Sequence, residues 1–170
     1  MHHTAARTSV FVGGPIKAGF RGGTFDGGLR ALVHNVCGHL QTAGYHVWSA
    51  HIAEDFSLLA PHERATVAER DYAWMVQSDV YLALLPLDDR GLPMSSIGTG
   101  VEIGWATVLP RPCLIAIDMA ARDSYSPFVL SLVQAGVGLA DIARCASDQE
   151  YLLDQVREAA TNQRPSALRA

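Results

Sequence analysis

Two hydrophobic patterns alternate along this chain. One is the continuous apolar run: "TSVFVGG" at 8–14, "YHVWSA" at 45–50, "DVYLALLPL" at 79–87, "CLIAID" at 113–118 and "VGLADIARC" at 137–145. Short runs of this kind, bounded by glycine, proline and polar residues, predict strands buried on both faces. The other pattern is helical spacing. Leu29, Leu32, Val33, Val36 and Leu40 recur every three or four residues, and Gly44 closes that segment. Residues 62–78 carry Val67, Trp74 and Met75 on one side. "IGTGVEIGWATVL" at 97–109 predicts a helix that starts after glycines and stops at Pro110 and Pro112. "SPFVLSLVQAG" at 126–136 predicts a short helix, and "SDQEYLLDQVREAATN" at 147–162 a closing one capped by Ser147.

Strands in alternation with helices predict a single α/β domain over 1–170, with its core from about 8 to 161 and frayed termini. The expected fold is a doubly wound, five-stranded, mainly parallel sheet with helices on both faces, flavodoxin- or Rossmann-like. Ligands of such sheets bind beyond the carboxyl ends of the strands. Two connections exceed the usual two to six residues: the glycine-rich "PIKAGFRGGTFDGG" at 15–28 and "HIAEDFSLLAPH" at 51–62. The loops after the first and third strands and the glycine-led helix are therefore expected to share one crevice, with Glu102 in it. Asp79 opens the third strand at the opposite end and reads as a structural cap.

Composition narrows the functional classes. The chain is 49 % hydrophobic and 18 % charged, with a formal net charge of −4. There is no basic excess to attract a nucleic-acid duplex. The three cysteines, Cys37, Cys113 and Cys145, form no metal box, and an odd count suits a reducing cytoplasm. No stretch reaches the roughly 18 uninterrupted apolar residues of a membrane span, and the start has no apolar leader pattern. The seven histidines are scattered, without the spacing of a zinc site, and no Gly-x-Ser-x-Gly elbow marks an acyl-enzyme serine.

Candidate chemistry concentrates in "SSIGTGVEIGWA" at 95–106. Glycines at a helix start let backbone amides approach an anion, and Ser96 and the Gly98 amide add donors. The stretch suits one phosphate, although capping and close packing account for the same glycines. Glu102 reads as a first-turn acid, where the helix dipole favours the ionised form by roughly 0.3–1 kcal/mol. A carboxylate so held suits nucleophilic attack on an anomeric carbon; an acid placed only to stabilise the helix start is the equal alternative. Asp71, in "AERDYAW", is the candidate second acid to assist a departing base, against a solvated helix position. The loop "KAGFRGG" also offers an aromatic ring, Phe20, and two cations, Lys17 and Arg21.

"SVFVGGPIKAG", "ERDYAWMVQSDVYLALLP" and "SSIGTGVEIGWA" together resemble the nucleoside 2-deoxyribosyltransferase superfamily, over about residues 8–140. The Ser-x-Gly-x-Gly-x-Glu spelled by Ser96, Gly98, Gly100 and Glu102 is the most specific part. The resemblance implies that Glu102 attacks C1′ to form a covalent glycosyl-enzyme and that Asp71 helps the base leave. Ser96 stands where nucleoside-transferring members carry an aspartate, which implies a 5′-monophosphate substrate gripped by Ser96, Gly98 and Gly100. Phe11 replaces the tyrosine of deoxy-preferring members, as in the CMP hydrolases of mildiomycin and blasticidin S biosynthesis, and implies a ribonucleotide. Phe11, Gly13, Ile16, Lys17, Phe20 and Arg21 would surround ribose and base. "VLSLVQAG" resembles the segment through which a neighbouring subunit supplies a serine, which nominates Ser131 and implies a homodimer. No metal or organic cofactor is implied. The expected protein is thus a cytoplasmic hydrolase of CMP or 5-hydroxymethyl-CMP. Its rivals are a deoxynucleotide hydrolase, an AMP phosphoribohydrolase of the cytokinin-activating type, whose Pro-Gly-Gly is absent here, and a nucleotide sensor without chemistry.

Overall fold

The computed structural model describes residues 7–94 and 96–161, so the expected fraying of the termini lies outside the described residues. Five strands form the central sheet: β1 (Ser9–Gly13), β4 (His46–Trp48), β5 (Val80–Leu85), β6 (Cys113–Ile117) and β7 (Gly138–Asp141). They lie in the order β4-β1-β5-β6-β7, and every pairing is parallel. Counting only these five, this is the 2-1-3-4-5 winding of flavodoxin-like sheets, whose switch point opens between the first and third strands. Between β1 and β4 lies a feature too small to read from periodicity. The glycine-rich loop folds into a hairpin of β2 (Phe20–Arg21) and β3 (Thr24–Phe25), with Gly22 and Gly23 at positive φ in its turn.

Side chains alternate across the sheet and sort the helices into two layers. Val10, Val12, Leu82, Leu84 and Leu114 face α1 (Gly27–Thr42), α6 (Ile142–Ser147) and α7 (Gln149–Thr161). Phe11, Tyr81, Ala83, Ile115 and Ile117 face α3 (Val67–Gln77) and α4 (Ile97–Val108), with α5 (Pro127–Ser131) following β6. Each fully buried aliphatic or aromatic side chain in these layers contributes about 1.5–3 kcal/mol. α1 begins where the Asp26 carboxylate accepts from the Leu29 amide at 2.7 Å, and it buries Leu29, Val33, Val36 and Leu40.

Three local expectations need correction. The 62–78 segment opens as a 3₁₀ turn at Glu63–Thr66, and only Val67–Gln77 is α-helix. Ser147 is not the cap of the closing helix: its hydroxyl bonds back to the Ala143 carbonyl, ending α6, while Asp148 accepts from the Tyr151 amide. α6 itself follows β7 directly, started by the Asp141 carboxylate on the Arg144 amide. Asp79 does cap, accepting from both the amide and hydroxyl of Ser9 at 2.7 and 2.8 Å and tying β1 to β5 at the amino end of the sheet.

Candidate active site

A cavity of about 590 Å³ lies over the carboxyl ends of β1 and β5. Its walls come from the end of β1 and the loop after it (Gly13, Gly14, Ile16, Lys17, Ala18), from α2 (Ala50–Ala53) through Ala50, from α3 through Val67 and Asp71, and from the start of α4. Ser96, Ile97, Gly98, Thr99 and Glu102 form that last wall. The size is that of a small-molecule site. The crevice expected from topology is present, and it holds both acids.

Glu102 is not where the spacing suggested. α4 starts at Ile97, so Gly98 and Gly100 are inside the helix and Glu102 is in its second turn. The dipole acts mainly within the first turn and does little for it. Burial dominates instead. At 8 % exposure the carboxyl is pushed from its ordinary 4.5 up to about 8. The Tyr81 hydroxyl, donating to Oε2 at 2.6 Å, pulls the other way, nearby Asp71 raises it further, and Arg70 lowers it. Tyr81 is wholly buried on β5, and burial, then Glu102, hold its phenol well above the usual range, so it remains a donor. Gly13 is required beside this pair: a Cβ there would collide with Oε2 of Glu102 and with the Tyr81 hydroxyl.

Asp71 is buried at 6 % exposure, not solvated. Burial raises its pKa, and the Arg70 guanidinium opposes that rise. Arg70 Nε donates to Asp71 Oδ1 at 2.8 Å and Nη2 to Glu54 Oε1 at 2.7 Å, while the guanidinium lies 4.6 Å from the Trp74 ring centroid. Sequence reasoning missed Tyr81, Arg70 and Glu54. Tyr81 sits in a continuous apolar run, and the Arg70 contacts join α3 to a residue sixteen positions earlier. Only the adjacency of Arg70 and Asp71 was a signal.

The phosphate cradle is narrower than the motif suggested. The Ser96 hydroxyl accepts from the Thr99 amide at 3.2 Å and is hydrogen-bonded to the Thr99 hydroxyl at 2.7 Å. The Gly100 amide donates to the Ser96 carbonyl, and Gly100 does not line the cavity. Ser96, the first amides of α4 at Ile97 and Gly98, and Lys17 remain at the cavity wall.

The base and ribose set divides. Gly13, Ile16 and Lys17 line the cavity; Phe11, Phe20 and Arg21 do not. Phe11 is fully buried behind the site, its ring 5.8 Å from Trp74 and 5.3 Å from Tyr81. Phe20 packs edge-on to Phe25 at 5.1 Å. Arg21 pairs with Asp89 on the surface and borders a separate shallow cleft. Ser131 is exposed on α5, its hydroxyl on the Phe128 carbonyl at 2.8 Å, and it does not line this chain's cavity. Beneath the loop after β1, buried His51 contacts the Pro15 carbonyl through Nε2 at 3.2 Å. Burial lowers His51 to about 4, so the ring is neutral and Nε2 donates.

These features define a flavodoxin-like α/β domain whose switch-point cavity carries two buried carboxyls. Among solved structures the fold is similar to that of BlsM, determined in solution, with a TM-score of 0.71 at 22 % identity, covering 95 % of this chain and 97 % of BlsM. It is also similar to the Clostridium botulinum CMP N-glycosidase BcmB, with a TM-score of 0.54 at 14 % identity, covering 89 % of this chain and 99 % of BcmB. No family model matches the sequence, and no curated protein is significantly similar to it. Among the described residues, no helix is long and apolar enough to cross a membrane.

Proposed function

We propose that the protein hydrolyses the N-glycosidic bond of a pyrimidine ribonucleoside 5′-monophosphate, CMP or 5-hydroxymethyl-CMP, to free base and ribose 5-phosphate. The observation that carries this reading is the convergence of Glu102, Asp71, Ser96 and the first amides of α4 on one cavity of nucleotide size. The fold shared with BcmB, a CMP N-glycosidase, supports it, as does the sequence resemblance to the nucleoside 2-deoxyribosyltransferase superfamily.

In this mechanism, ionised Glu102 attacks C1′ and a C1′–O bond forms as the C1′–N bond breaks. The electron pair leaves with the base, which takes a proton from Asp71. Water then attacks C1′, giving its proton to the Asp71 carboxylate, and Glu102 departs as carboxylate. Asp71 needs to start protonated, and burial moves it in that direction, while Glu102, raised to about 8, reacts through the ionised fraction that Tyr81 and Arg70 favour. The phosphate sits at the amino end of α4, where unpaired amides, the Ser96 hydroxyl and Lys17 favour negative charge.

Because Phe11 lies behind the cavity wall, it offers no direct contact to a 2′-hydroxyl. The preference for ribose rests on the resemblance and on BcmB, and rates on CMP and dCMP decide it. The homodimer is part of the same proposal. Ile97 lines the cavity yet is 85 % exposed, and Val101 and Val108 continue an exposed apolar edge along α4. A second copy covering that edge would bring its Ser131 toward the phosphate. Sedimentation equilibrium with wild type and Val108→Asp tests this; a monomeric wild type removes the role of Ser131.

The decisive experiment assays nucleoside monophosphates for release of free base. CMP or its 5-hydroxymethyl derivative should react, and Glu102→Ala should lower turnover by at least 10³-fold while nucleotide still binds. Binding without release of any base by wild type would favour a sensor instead.

A further inference from the structure

The structure holds one hydroxyl against the candidate nucleophile, and it comes from an unanticipated place. Tyr81 stands directly opposite Phe11 in the β1–β5 pairing, inside an otherwise apolar strand. Its ring packs in the core, tilted against Phe11, while its hydroxyl reaches Glu102 Oε2 at 2.6 Å. Gly13, at the end of β1, leaves the room in which the two groups meet. Among the described residues, Glu102 accepts no other side-chain hydrogen bond. The phenol is wholly buried, and its bond to Glu102 is what satisfies it there.

We propose that Tyr81 is a positioning residue that ties down Oε2 of Glu102 from the sheet side and leaves Oε1 as the oxygen that bonds to the sugar. The inference rests on the glycosidase reading. When C1′–Oε1 forms and C1′–N breaks, the Glu102 carboxylate becomes an ester whose carbonyl oxygen is Oε2, still hydrogen-bonded to Tyr81. When water attacks C1′ and C1′–Oε1 breaks, the electron pair returns to the carboxylate and the phenol stabilises the recovered charge. Tyr81 touches neither the sugar nor the base; it acts through Glu102. The same bond favours the ionised acid against burial. The charged and titratable groups that act on the pair are Asp71 and Arg70 from α3 and Cys113 on β6, while Lys17 from the loop after β1 and Thr99 on α4 line the same cavity.

Tyr81→Phe tests the role, because it keeps the ring and removes only the hydroxyl. Titration of the isotope-labelled Glu102 carboxyl by infrared difference spectroscopy needs no substrate. Its midpoint should move from about 8 upward by roughly one pH unit or more. In activity, kcat should fall about 10–100-fold at pH 7, with KM little changed and the pH profile displaced alongside the titration. If Tyr81→Phe does not fold, 3-fluorotyrosine incorporated at position 81 keeps the ring and, as a stronger donor, should move the midpoint downward. An unmoved midpoint overturns the role of Tyr81, whether or not the enzyme is active. A wild type that releases base from no nucleotide overturns the glycosidase reading instead and leaves the titration result standing.

Discussion

Arg70 Nε lies 2.8 Å from Oδ1 of Asp71, and the same guanidinium reaches Glu54 at 2.7 Å from its other arm. One cation therefore fixes a candidate catalytic acid on α3 and an acid at the end of α2, both nearly buried. A planar fork meets two carboxylates at once, and stacking on Trp74 holds the fork in place. Asp71 cannot swing freely about its helix, and one oxygen, Oδ2, is left to carry the proton for the departing base.

Arg70→Met should thus hurt both fold and activity. Removing one partner of a buried ion pair costs roughly 3–5 kcal/mol, and the loss here should sit at the lower end because the Arg70 side chain is 26 % exposed. Loss of the guanidinium also removes what opposes the rise in the Asp71 pKa, so the pH–rate profile should shift to higher pH. Arg70→Lys should recover some stability but little of the rate, since an ammonium is a point charge and not a fork. Thermal unfolding and pH–rate profiles of the two variants check this. A lysine variant with wild-type kcat would show that the fork geometry is irrelevant.

Gly13→Ala is a harsher probe than its size suggests. The added methyl would occupy space already taken by Glu102 Oε2 and the Tyr81 hydroxyl, between groups that are themselves buried. Overpacking of this kind costs typically about 1–3 kcal/mol, and relief requires the hydrogen-bonded pair to part. Activity should fall at least about 100-fold, well beyond what the stability loss alone would do at a temperature where the variant stays folded. Gly98→Ala is the control: a Cβ there meets nothing within 4 Å, so its stability should hold, and any loss should appear in KM for the phosphate-bearing substrate. Equal kcat for Gly13→Ala and wild type would rule out the crowding argument.

The sheet and the principal helices are legible because their signals are local. An apolar run such as Val80–Leu85, or Leu29, Val33, Val36 and Leu40 on one helical face, states its environment in its own spacing. Topology then places Gly13, Asp71 and Glu102 around one crevice without any contact being known. Features that depend on packing were not legible. The β2–β3 hairpin has two residues per strand, too few for a period. Glu102 was read one turn too early, because glycines suggested a loop where the Ser96 cap starts the helix at Ile97. That shift reversed the expected electrostatics, from an acid favoured by the dipole to one opposed by burial. Phe11 matched a family position by sequence but lies behind the cavity wall, while the hydroxyl beside the acid comes from Tyr81 across the sheet.

The reversed electrostatics make a prediction that does not involve substrate. With Glu102 near 8 in the folded protein and an ordinary 4.5 when unfolded, the native state binds more protons than the unfolded state between those values. The stability of the wild type should then fall as pH rises from about 5 to about 8.5, other groups aside, because unfolding releases the buried carboxyl to ionise. Glu102→Gln keeps an acceptor for Tyr81 and nearly the same volume, but it cannot ionise. Its melting temperature should match wild type near pH 5 and exceed it by several degrees near pH 9, at roughly 2–4 °C for each kcal/mol in a chain of this size. Subtracting the two melting curves at each pH cancels the other titrating groups. A difference that stays flat from pH 5 to 9 would mean that Glu102 titrates as an ordinary surface acid, and that burial does not hold its proton.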